Sequence, residues 1–224
     1  MKFKVLTVML ALVVSTSANA QFGALGGLMG GAKGGGGGDV GAQVVAFNEE
    51  ANLISKTVAF ALIQIVGARG DKTKIADIKV VNDSLSKSTD TKEIGSISGS
   101  IIKTNFAEAD ELLKSKDAKA KMESLSPEMQ KKVAQSIFAV GVSALRMPGA
   151  INQGKSIISS VGANPMNIAK VLPVKDGLSL YADVLPKLPT LVSTGLQLMR
   201  DVKVEAGNPT AEAKLAPEAA SFPE

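Results

Sequence analysis

The chain has 224 residues, with 25 Lys and Arg against 21 Asp and Glu for a formal charge of +4, and it contains no cysteine, histidine or tryptophan. Absent cysteine excludes disulfides, thiolate metal sites and a lipidated N-terminal Cys, while absent histidine excludes Ser-His-Asp catalysis, the commonest zinc and haem ligands and the usual neutral-pH proton shuttle. With seven Phe and one Tyr, there are too few rings for a sugar-binding platform or a single-strand stacking surface. The composition points away from an enzyme, and neither a cofactor nor a metal site is expected.

Met1 to Ala20 has the form of a secretory signal peptide. Lys2 and Lys4 supply the positive start, Val5 to Val14 the apolar run, and Ala18-Asn19-Ala20 the small-x-small cleavage pattern. Removing these 20 residues from 224 leaves 204, and losing the two lysines takes the charge from +4 to +2. That balance carries no strong footprint for nucleic acid and only weak attraction to anionic lipid. The expected location is the bacterial periplasm or the cell exterior.

Residues 21–38 form a glycine-rich segment, QFGALGGLMGGAKGGGGG. Glycine is costly in a helix, so the expected state is a flexible tether. Its every-fourth-residue glycine spacing also suits close backbone contact, which would make it an element for self-association and oligomer formation.

Asp39 is placed to cap a helix running to about Ala68. Val40, Val44, Phe47, Ala51, Ile54, Val58, Leu62 and Ile65 recur at helical spacing. Thr57 to Gly67 is apolar all round except for Thr57 and Gln64, so it should be buried among other helices. At eleven residues it is too short to span a bilayer, and no stable transmembrane span is expected after signal cleavage. Gly67 and Gly70 end this helix, and Asp71 starts a second with Ile75, Ile78, Val81 and Leu85 on one side. Ser84 to Thr91 reads as a polar connector, followed by a weak helix carrying Ile94, Ile97 and Ile101. Asn105 with Glu108 has capping-box spacing, which predicts a new, highly charged helix to about Ser124.

Ser126-Pro127-Glu128 is a helix start with a cap, a proline at the first position and an acid in the first turn. This helix should run to about Arg146, where Pro148-Gly149 is expected to break it. A shorter helix to about Val161 follows, then a break at Gly162 to Pro165 with Asn164 as cap. Separate pieces are expected over Pro165 to Leu172 and Leu178 to Leu185. Pro189 can start the last helix, with Leu191, Val192, Gly195, Leu198, Met199 and Val202 as its stripe. Residues 205–224, rich in Pro, Ala and Glu, should be a disordered tail.

The fold class is therefore all-α: a single helical bundle of about six to eight helices over residues 39–204, flanked by flexible ends. Motifs with chemistry are scarce. Gly149 to Ser156, GAINQGKS, matches the phosphate-loop pattern, but it follows a helix and Pro148 instead of a buried strand and is rejected as an ATP site. Glu49-Glu50 reads as solvent-exposed. Ser126 and Ser156 are accounted for by capping and helix packing.

The amphipathic helices are the positive signal. They suit a non-catalytic exported protein that binds a lipid-like ligand or an envelope protein. Phe47, Ile54, Val58, Leu62, Ile137, Phe138, Leu198 and Met199 are the apolar positions expected to meet that ligand or partner. The alternatives are a secreted matrix or surface-assembly component that self-associates through residues 21–38, and a membrane-active helical protein.

Overall fold

The computed structural model describes residues 40–68, 72–161 and 168–222. The signal segment, the glycine-rich segment, the Asp39 cap, the Gly70 and Asp71 junction, and the Gly162 to Pro165 break with its Asn164 cap lie outside the described residues. Among the described residues there are helices and no strands: α1 (Val40–Gly67), α2 (Lys72–Lys87), α3 (Thr91–Lys114), α4 (Ala118–Glu123), α5 (Pro127–Val161), α6 (Ile168–Val184) and α7 (Leu188–Asp201).

α1 is the central element. It packs most extensively against α5 and α3 and also touches α2 and α6. Every residue from Thr57 to Gly67 is buried, as the all-round apolar pattern requires. The α1 core includes Phe47, Ile54, Val58 and Leu62, each with no exposed surface. α7 closes the other side of α5 and reaches α3 and α4. No helix among the described residues is long and apolar enough to cross a membrane.

Several boundaries differ from the sequence reading. α2 continues to Lys87, so the connector shrinks, and Asp90 caps α3 by accepting from the Lys92 and Glu93 amides at 3.0 and 2.9 Å. Asn105 caps nothing: it lies inside α3 and donates from Nδ2 to the Ile101 carbonyl at 3.0 Å. The charged segment instead breaks at Ser115, with α4 as a separate turn-and-a-half. Ser126 does cap α5, its Oγ accepting from the Met129 amide at 3.2 Å.

α5 passes through Pro148 without ending. An internal proline costs a helix about 3 kcal/mol, but its exposed ring faces away from the buried flank of Met147, Ala150 and Ile157. Burial of that flank outweighs the lost backbone bond. Pro173, half-buried, likewise lies inside α6, where Val171, Val174, Tyr181 and Val184 are buried and join the two expected pieces into one helix. GAINQGKS accordingly lies wholly within α5, with no loop to cradle a phosphate.

Glu50 is not solvent-exposed as read from its sequence. The Arg146 guanidinium donates to it from Nε and Nη2 at 2.8 and 2.7 Å, a two-point bond tying α5 to α1. Beside it, the Tyr181 hydroxyl donates to the Ala51 carbonyl at 3.0 Å, which ties in α6. Polar groups on three helices thus fix their relative register around Glu50 and Ala51 of α1.

Candidate functional site: the groove under the C-terminal strap

The segment after α7 was expected to be disordered, and for residues 205–222 that expectation is corrected. It forms no helix, yet it follows a defined course across the bundle. The chain turns at Lys203 (φ 60°) and Gly207 (φ 73°), where the left-handed backbone suits the glycine. Pro209 then fits against Gly141 of α5 so closely that a Cβ there would sit 2.5 Å from its ring. Leu215 is buried, and Phe222 fits the matching notch at Gly67 of α1, where a Cβ would lie 2.6 Å from the ring.

Two side-chain amides hold the far end of this strap. Asn82 of α2 accepts from the Ala220 amide at 2.8 Å and donates to the Ala220 carbonyl at 3.3 Å. Gln64 of α1 accepts from the Ser221 amide at 2.8 Å and donates to the Ser221 carbonyl at 2.8 Å. Each amide therefore engages both main-chain groups of one residue, and the two residues are consecutive. Lys79 of α2 lies over the Phe222 ring, 5.8 Å from its centroid.

Composition suggested disorder because the strap has little apolar surface of its own. What orders it lies more than a hundred residues away. One sequence signal pointed there: Gln64 is the long polar side chain in an otherwise apolar, fully buried run, and a buried amide must find partners. Thr57, the other polar residue of that run, is satisfied locally by donating to the Leu53 carbonyl at 2.7 Å.

Upstream of the clasp the strap does not fill its seat. A groove of about 230 Å³ remains between α1, α5 and residues 214–221. Its apolar lining includes Phe60 and Ala61 of α1 and Phe138 and Ala139 of α5. Thr57, Gln135, Ser136 and Lys132 add polar groups, and Lys214 and Glu218 contribute from the strap. No group of three or more carboxylates that could hold a metal ion occurs among the described residues.

The sequence-selected apolar residues divide between core and groove. Phe47, Ile54, Val58, Leu62, Ile137 and Met199 are packed in the filled core, none more than 1% exposed. Phe138 is partly exposed and lines the groove. Leu198 borders a second cavity of about 50 Å³ beside Met122 and Leu125, far below the size of a small-molecule site. Apolar periodicity gives no weight to Gln64 and Asn82, which are polar, and Phe60 falls off the helical stripe of α1. Comparison with protein-family models, with curated proteins and with solved structures returns no match to this chain.

Proposed function

We propose that this chain is an exported, non-catalytic helical protein of the bacterial envelope that binds an envelope protein through the groove between α1, α5 and the strap. The observation that carries the reading is a surface groove lined by both apolar and polar side chains, bounded on one side by a non-helical segment. The partly exposed Phe138 ring supplies the kind of apolar anchor that interfaces use, and Lys132, Gln135 and Ser136 supply orienting polar groups.

Lipid-like cargo is the second reading. Pockets for small ligands run from about 300 to 1,000 Å³, and the groove at about 230 Å³ falls short of that range. An acyl chain would offer no hydrogen-bond partner to the polar lining of Gln135 and Ser136, whereas a protein segment carries groups that can pair with it. This favours a protein partner.

A photo-crosslinking side chain at the exposed Gln135, in the native envelope, tests the reading. A discrete protein adduct at Gln135, absent when the probe is moved to Lys103 on α3, supports it. Lipid-mass adducts at Gln135 would shift the function to lipid carriage. No adduct, or the same adducts from both positions, would remove the groove as the binding site.

A further inference from the structure

The strap's seat has the chemistry of a receptor for an extended peptide. Asn82 and Gln64 each direct an amide N–H and the amide oxygen to the main chain of a single residue, Ala220 and Ser221 respectively. A side-chain amide used this way does what a neighbouring β-strand does: it pairs an extended backbone without reading its side chains. Selectivity comes from the flanks. Ala220 and Ser221 are small, and the next residue, Phe222, fits the notch left by Gly67 with Lys79 over its ring.

We infer that Asn82, Gln64 and the Gly67 notch form a binding site for an extended segment of the pattern small–small–aromatic in a partner protein, and that the chain's own residues 220–222 occupy it in cis. The inference deepens the partner-binding reading and rests on it. The strap is suited to the part of a displaceable occupant. It is held by side-chain amides, two ring contacts and one buried aliphatic side chain, Leu215, and not by any helix of its own. It joins α7 through a turn at Lys203 and Gly207, and it leaves the groove beneath it partly unfilled. An incoming segment that supplied the same backbone groups would replace each of its bonds like for like.

The test uses the full chain and a fluorescent synthetic peptide of residues 214–224. The strap variant Ala220→Pro with Ser221→Pro removes the two amide donors from the strap and leaves the seat untouched. The peptide should bind this variant at least tenfold more tightly than it binds the wild type, whose seat is occupied. Adding Gln64→Leu and Asn82→Ala should abolish that gain, and a peptide N-methylated at residues 220 and 221 should not bind. If the proline variant loses its helical circular dichroism, Phe222→Ala in the strap serves the same purpose. A folded strap variant that binds no better than the wild type, or binding indifferent to Gln64 and Asn82, would overturn the inference. Peptide binding without a protein adduct at Gln135 would keep the seat and remove the envelope partner; an adduct without peptide binding would keep the partner and remove the seat.

Discussion

Gln64 reaches Ser221, 157 residues further along the chain, and pairs with both its amide and its carbonyl at 2.8 Å. A buried side-chain amide left unpaired costs about 1–3 kcal/mol. The bond therefore serves both partners: it satisfies a polar group that α1 carries into the core, and it anchors a segment with too little apolar surface to order itself. The Gln64 Nε2 also lies 3.1 Å from the Met129 sulfur, which fixes the amide's orientation from the α5 side.

Two helical glycines should respond to alanine in opposite directions. Gly195 of α7 faces Ile137, and a Cβ there would meet its side chain at 2.9 Å, closer than packed atoms approach. Gly195→Ala should destabilise by about 1–3 kcal/mol, because the strain of overpacking exceeds the gain in helix propensity. Gly95 of α3 has nothing within 4 Å of that position, so Gly95→Ala should stabilise by about 0.5–1 kcal/mol. Urea unfolding of the two variants beside the wild type gives both values. A gain for Gly195→Ala would mean that α7 and α5 are not in close contact.

Ser143 is fully buried on α5, and its hydroxyl has no hydrogen-bond partner among the described residues. Replacing it removes a desolvated group that receives nothing in return. Ser143→Ala should raise stability by about 1 kcal/mol, read as a higher thermal midpoint. A loss of stability would show that the hydroxyl is satisfied in solution. Ser98 on α3 is buried in the same way and should behave alike.

Tyr181 makes the alkaline limb of the stability curve predictable. Burial of its phenol, with the Glu50 carboxylate nearby, pushes its pKa well above the ordinary value of about 10, and Arg146 opposes this only in part. The folded state thus keeps the proton where the unfolded chain loses it. The stabilisation is fully present below about pH 10 and declines above it, by up to about 1.4 kcal/mol for each further pH unit. Tyr181→Phe should lose about 1 kcal/mol at neutral pH with its bond to Ala51, and should remove this component of the alkaline decline. Because Tyr181 is the chain's one tyrosine, tyrosinate absorbance reports it without overlap. Titration at its ordinary value in the folded protein would contradict the buried placement.

Local pattern located what local physics decides. The apolar circumference of Thr57 to Gly67 placed α1 at the centre, and Ser126-Pro127 marked the start of α5, because burial and capping act over a few residues. The pattern failed where distant packing overrides a local rule. Pro148 and Pro173 read as breaks, yet both lie inside helices held by buried flanks. Asn105 has the spacing of a cap but lies within α3. Glu50 read as exposed because its partner, Arg146, is 96 residues away. The strap was the largest omission: its own composition is that of a disordered segment, and its order comes from Asn82 and Gln64. The unexplained Gln64 in a buried run was the one local hint that something distant had to meet it.

The most direct measurement is amide hydrogen exchange at Ala220 and Ser221 in the full chain, in the wild type and in the variant Gln64→Leu with Asn82→Ala. A seated strap predicts exchange slowed by at least about tenfold at both amides in the wild type, with the protection lost in the variant while α1 and α5 stay protected. Free exchange at both amides in the wild type would contradict the seat, and with it the groove and the peptide site built on it.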